Sequence, residues 1–193
     1  MIDFDAAVAL LQARPTGLVA IDGLPVSGKS TLAERLEKEL GAVVVYLDDF
    51  VRPEAEWRGV ATPAFPFPYI RYDAFLAAVA ALAQGQTARY RRYDWTTGQV
   101  AETWREVRSE GLVVIEGVSA LHPTLAPLYD MRFWVESDGA TTLAASLARG
   151  VGDWEREWRE LFTPSVALYL ETDPWRRANH VVAGRGATSP TQG

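Results

Sequence analysis

Gly23-Leu24-Pro25-Val26-Ser27-Gly28-Lys29-Ser30 matches the pattern G-x-x-x-x-G-K-[ST] without a gap. Its flanks give it meaning. The apolar run Leu18-Val19-Ala20-Ile21 precedes it and reads as a buried strand, and Ser30 to Leu40 reads as a helix. A loop between a strand and a helix N-terminus can turn successive backbone N–H groups toward phosphate oxygens. Gly23, Pro25, Val26, Ser27, Gly28, Lys29, Ser30 and Thr31 are therefore the expected phosphate-loop contacts. Lys29 is expected to reach the terminal phosphates of a bound nucleotide, and the Ser30 hydroxyl to hold a magnesium ion. The chain has two lysines, Lys29 and Lys38, against seventeen arginines. A lysine kept inside this loop points to a need for a compact point charge, which a guanidinium does not supply.

Working outward, Val43-Val44-Val45-Tyr46-Leu47 is a β-branched strand that delivers Asp48-Asp49-Phe50 at its end. Leu112 to Gly117 reads as a third core strand, Met131 to Val135 as a fourth and His180 to Ala183 as a short last one. Helical patterns fall at Asp3–Ala13, Asp73–Ala83, Thr141–Arg149 and Trp154–Leu170, with Asp73 the expected cap of the second of these. Arg52 to Tyr69 holds four prolines and reads as an irregular excursion. Arg89 to Trp95 reads as a strand or hairpin arm. The tail, residues 184–193, is rich in Gly, Ser, Thr and Pro and is expected to be disordered, leaving residues 1–183 as one domain.

Strands alternating with helices predict an α/β fold with a mostly parallel five-stranded sheet, helices on both faces and a small helical lid. In such sheets ligands bind beyond the carboxyl ends of the strands. The phosphate loop, Asp48-Asp49 and Glu116-Gly117 then share one rim.

Composition narrows the function. The 193-residue chain carries a net charge of −6, which leaves no global basic field for nucleic acid. It has no cysteine, which excludes disulfides, thiolate metal sites and a cysteine nucleophile. The start, Met1-Ile2-Asp3-Phe4-Asp5, is acidic and lacks the basic region of a signal peptide. The longest apolar run, Ala74 to Ala83, is too short for a membrane span. The expectation is a cytoplasmic protein with neither membrane nor nucleic-acid partner. Self-association is left open.

Several residues suit phosphoryl transfer. Asp48 is the expected base toward an attacking hydroxyl. Asp49 and Glu116 are expected near the metal with Ser30. Arg149, and with it Arg156 or Arg159, is expected to close over the γ-phosphate, with Gly150 and Gly152 as a hinge. Gly117 is expected to let the backbone pass close to a ligand. Tyr69, Arg71, Arg92 and Tyr93, with Asp49, are the expected acceptor contacts. His122 and His180 stand alone and read as structural.

Taken together, the loop Gly23–Thr31, Leu47-Asp48-Asp49-Phe50, Arg92-Tyr93-Asp94-Trp95, Val114-Ile115-Glu116-Gly117, Asp130–Val135 and Pro174–Val182 resemble the uridine kinase-like P-loop kinases, a group that includes phosphoribulokinase and pantothenate kinase. The resemblance spans roughly residues 17–183. It implies a P-loop NTPase fold, ATP and Mg²⁺, and a phosphotransferase acting on a hydroxyl-bearing small molecule, a nucleoside or sugar-like alcohol. The family's Asp-x-Phe-Tyr aspartate maps onto Asp48, with Val51 in the Tyr position. Its strand-end acid maps onto Glu116, and its Tyr-Asp-Phe block onto Tyr93-Asp94-Trp95. The His that follows that block in uridine kinases falls near Gly98. The lid pattern Arg-Arg-Asp survives only as Ala148-Arg149-Gly150. The resemblance therefore supports a kinase more than it supports uridine. The rival reading is a nucleotide-dependent ATPase or switch acting on a protein partner, though no Asn-Lys-x-Asp base-recognition motif occurs.

Overall fold

The computed structural model describes residues 1–139 and 154–187. Five parallel strands form the central sheet: β1 (Gly17–Gly23), β2 (Val43–Tyr46), β5 (Leu112–Glu116), β6 (Met131–Glu136) and β7 (His180–Ala183), in the order β2-β5-β1-β6-β7. The first strand is central, and the chain leaves it toward β2 on one side and later crosses to β6 on the other. Side chains alternate between the two faces. Leu18 and Ala20 of β1 join one core, whereas Val19 and Ile21 join the other. Both faces are apolar because both are covered.

One face carries α1 (Phe4–Gln12) and α2 (Lys29–Leu40). Asp3 caps α1 by accepting a hydrogen bond from the Ala6 amide at 2.7 Å. Gly41 ends α2 in the left-handed conformation, φ +67°. The other face carries α3 (Tyr72–Ala83), an antiparallel hairpin of β3 (Ala88–Asp94) and β4 (Gln99–Val107), and α4. This helix, α4, runs from Glu155–Glu157 through a π-helical turn, Trp158–Phe162, into Thr163–Leu170.

One expectation needs adjustment. Asp73 does not cap α3; the helix starts one residue earlier, and Asp73 lies exposed in its first turn. The entry is fixed instead by backbone and guanidinium bonds of Arg71, whose amide donates to Phe50 O at 2.8 Å. The arm expected at Arg89–Trp95 is present as β3, one half of a hairpin whose second half, β4, has few buried positions and so no apolar alternation to announce it. The sequence-expected helix Thr141–Arg149 lies outside the described residues, as do Gly150 and Gly152.

Parallel pairing sets the register of the functional rim. Ile21 lies beside Glu116, and Tyr46 lies beside Glu116 on the other side. The ends of β1, β5 and β2 are thus level neighbours. A single 3-10 turn, Leu47–Phe50, follows β2 and presents Asp48 and Asp49. Its anchor is Phe50, fully buried, stacked on Tyr90 at 4.6 Å and edge-on to Phe75 at 5.2 Å. Burying such a ring is worth roughly 2–3 kcal/mol, enough to hold this short turn against the sheet.

Candidate active site

The phosphate loop curls as its sequence requires. Gly23 has φ +151°, and a Cβ there would sit 2.5 Å from the Val135 carbonyl oxygen. Val26 holds φ +59°, a costly conformation for a β-branched residue. Backbone strain of this kind concentrates at ligand-gripping loops. Gly28 precedes α2 at φ +112° with no side-chain cap, so the first amides of the helix are left for another acceptor. The loop is braced from behind: Gly184 and Arg185 amides donate to the Glu136 and Ser27 carbonyls at 2.8 and 2.9 Å. Sequence reading passed over this brace.

Lys29 is buried, and its Nζ donates to the Leu24 carbonyl oxygen at 2.8 Å, inside the loop's own curl. Ser30 Oγ donates to Glu116 Oε1 at 3.3 Å. Thr31 lies exposed on α2. Burial pushes the Glu116 carboxyl up to about 7; Lys29 opposes the shift and Asp48 adds to it. A loop that frames a positive end, a buried hydroxyl without a partner at Ser27, and a hydroxyl–carboxylate pair at Ser30 and Glu116 fit phosphates and a divalent cation.

Asp48 lines the same cleft. Solvent reaches it through the cleft mouth, while the protein around it raises its pKa by desolvation, with Lys29 opposing and Asp49 adding. A carboxylate poised upward in this way, beside a bound phosphate, is suited to accept a proton from an alcohol. Gly117 permits a close approach between the Asp48 turn and the end of β5. A Cβ at this residue would meet Leu47 Cβ at 2.3 Å, so glycine here lets the turn bearing Asp48 press against the end of β5. The close approach expected at Gly117 is therefore to Leu47 as well as to the cleft it lines.

Asp49 has different company. Its carboxylate accepts from Tyr90 Oη at 3.2 Å and Arg105 at 3.1 Å, across to the hairpin. Arg105 also donates to the Val44 carbonyl at 2.8 Å. Asp49 still borders the cleft, but its charge is committed to these partners. Arg71 donates to the carbonyls of Asp49, Val51 and Arg91 and so supports the Asp48–Asp49 turn from beneath. Arg92 is exposed, and Tyr93 is buried edge-on against Trp95 at 4.9 Å. Of the expected acceptor contacts, Asp49 and Tyr69 line the cleft, whereas Arg71, Arg92 and Tyr93 are not among its lining residues.

The cleft has a volume of about 590 Å³, within the range of small-molecule sites. Its floor is Lys29, Ser30, Asp48 and Glu116; its far wall is aromatic, from the excursion before α3 and from α4. Arg156 and Arg159 lie exposed on α4, paired with Glu160 at 2.8 Å and Glu155 at 2.9 Å. Arg149 lies outside the described residues. His122 accepts from the Thr124 amide at 3.1 Å and packs on Phe65 and Tyr72, a structural role as expected.

Sequence reading also missed Asp22. Fully buried at the end of β1, its carboxylate accepts from the amides of Gly23, Ser119 and Leu121 and from Tyr169 Oη at 2.5 Å. Desolvation raises its pKa against these donors. It ties the first residue of the phosphate loop to α4. An acidic residue just before the loop was the available signal.

Three comparisons bear on this geometry. The model of the phosphoribulokinase / uridine kinase family matches residues 18–157. Uridine-cytidine kinase-like 1 of Mus musculus is 23% identical over 192 residues, covering 91% of this chain and 35% of that protein. The chain thus spans about a third of the length of this curated relative. Among solved structures, a protein described as a possible uridine kinase from Bacillus stearothermophilus superimposes with a TM-score of 0.69 at 22% identity, covering 93% of this chain and 96% of that one. A protein from Silicibacter sp. TM1040, provisionally described as a fructose transport system kinase, gives 0.66 at 21% identity, covering 97% and 100%. Both likenesses establish the fold, a parallel five-stranded sheet flanked by helices.

Proposed function

Because the chain belongs to the phosphoribulokinase / uridine kinase family, we propose that it is a small-molecule kinase that moves the γ-phosphate of ATP onto a hydroxyl group. The observation that carries this reading is the convergence of Lys29, Ser30, Asp48 and Glu116 on the floor of one cleft large enough for a second substrate. A switch or ATPase acting on a protein partner has no use for such a cleft beside its phosphate loop.

In this reading the residues 23–31 hold the triphosphate through backbone amides and the α2 N-terminus. Lys29 exchanges the Leu24 carbonyl for phosphate oxygens. Ser30 with Glu116 would hold Mg²⁺, which when bound supplies charge neutralisation on the phosphates, and Asp49 would have to exchange Arg105 or Tyr90 to join them. Asp48 accepts the acceptor's hydroxyl proton as its oxygen bonds to the γ-phosphorus. The bond from that phosphorus to the β-phosphate oxygen breaks, and ADP leaves. Arg149, outside the described residues, keeps the lid role over the γ-phosphate that its sequence position suggests as part of this proposal. A nucleoside or sugar-like alcohol is the acceptor class that the resemblance implies, and the reaction belongs in a soluble, cytoplasmic setting.

The test is ADP release measured with and without a panel of alcohols. Acceptor-dependent release supports the kinase; release at the same rate without any alcohol supports the ATPase.

A further inference from the structure

The acceptor end of the cleft is lined by rings and carries little charge. Trp57, Tyr69, Trp95, Trp154, Trp158 and Phe162 border it. They form a connected set: Trp57 lies 5.2 Å from Trp154 and 5.5 Å from Phe162, and Tyr69 meets Phe162 edge-on at 4.6 Å. Trp57 is held in place because its indole N–H donates to the Arg52 carbonyl at 3.1 Å. Trp95, at the tip of the β3–β4 hairpin, is 61% exposed, an unusual state for so large an apolar ring and one that a bound ring would relieve.

Cations are as informative. Among the described lining residues, Lys29 is the one cation, and it stands at the phosphate end. Of the arginines nearby, Arg92 is exposed, does not line the cleft and bears on Asp49 from outside it; the others are committed elsewhere. Arg105 holds Asp49, Arg71 holds three carbonyls, and Arg58 lies over the Trp154 ring at 5.2 Å while bonded to Glu54 and Glu157. A second phosphate or a carboxylate on the acceptor would therefore face Asp48 and Glu116 with no described guanidinium to offset it. A pyrimidine edge, with its several polar atoms, would find mostly ring surface on the far wall, and a buried polar group without a partner is costly.

We propose, resting on the kinase reading above, that the acceptor is an alcohol without negative charge whose body is a flat, weakly polar ring. The ring lies against the open side of this aromatic wall, between Trp95 and Trp158, and its hydroxyl is turned toward Asp48. Flat ring faces suit this wall because offset and edge-on packing add about 0.5–1.5 kcal/mol per ring pair beyond area burial.

The experiment has two arms. ATP turnover is measured with 2-naphthalenemethanol, uridine, ribulose 5-phosphate and glycerate as acceptors. Binding of the same four compounds to the wild-type protein without nucleotide is followed by tryptophan fluorescence and saturation-transfer NMR. The expected result is kcat/KM for the naphthyl alcohol at least about tenfold above uridine and about 100-fold above the two anions, the size of one and two lost ring or charge contacts. Trp158→Ala is expected to raise KM for the naphthyl alcohol about tenfold, as the loss of one stacking face would, with KM for ATP unchanged and with recovery in Trp158→Phe. Higher kcat/KM with uridine or with either anion overturns the acceptor assignment and leaves the kinase intact. Naphthyl alcohol that binds while no alcohol is phosphorylated overturns the kinase reading and leaves the ring pocket standing. Failure of the naphthyl alcohol to bind at all overturns the assignment.

Discussion

Glu116→Gln tests the electrostatics of the cleft floor without relying on turnover. The carboxyl is shifted from 4.5 to about 7 in the folded protein, chiefly by burial. Between those values the folded state holds a proton that the unfolded chain has released. Stability therefore falls as pH rises from about 4.5 toward 7 and levels off above it. The shift corresponds to roughly 3 kcal/mol of destabilisation at pH 8 that is mostly absent at pH 5. Asp22, Asp48 and Asp49 are also shifted upward and act in the same direction, so the informative quantity is the difference between the two proteins. Glutamine keeps the shape and can still accept from Ser30 Oγ. The assay is urea and thermal unfolding of the nucleotide-free proteins at both pH values. The variant is expected to gain about 3 kcal/mol on the wild type between pH 5 and pH 8, or roughly 6–12 °C in Tm for a chain of this size. Added Mg·ATP should stabilise the wild type more than the variant. Parallel stability curves for the two proteins across this range would refute the reasoning.

Four further outcomes are expected. Lys29→Ala should lower phosphoryl transfer at least about 100-fold, the scale of losing a charged stabiliser in the transition state, as measured by ADP release. Asp48→Asn should lower kcat by about 100- to 10,000-fold while the Kd for ATP, from calorimetry, moves less than about threefold. Gly117→Ala would place a methyl against Leu47 and should cost about 2–3 kcal/mol in urea unfolding, with kcat falling alongside as Asp48 shifts. Tyr169→Phe removes the hydroxyl bonded to buried Asp22 and should cost about 2 kcal/mol, read from the same unfolding curves.

What the sequence disclosed and what it withheld divide along the range of the interactions. The loop Gly23–Ser30, the strand ends at Asp48 and Glu116 and their common rim are legible because each is a local pattern of apolar strand, turn residue and helix start. The five parallel strands follow from the same signals, and the structure places all of them. The commitment of Asp49 is illegible because its partner, Arg105, lies 56 residues away on a hairpin strand with no apolar alternation. The same holds for Asp22, whose ligands arrive from the loop after β5 and from α4. Arg71, one of many arginines, gives no sign in sequence that it serves three carbonyls rather than a ligand. The aromatic wall is assembled from three separated segments, around Trp57, Trp95 and Trp158. Each ring alone reads as ordinary core.

The most direct test of the central claim is ³¹P NMR of the products formed from Mg·ATP and an accepted alcohol. The account expects a new phosphomonoester in equal amount with ADP, its formation slowed at least about 100-fold by Lys29→Ala and by Asp48→Asn. Inorganic phosphate as the sole product beside ADP, formed at a rate that no alcohol changes, would contradict it.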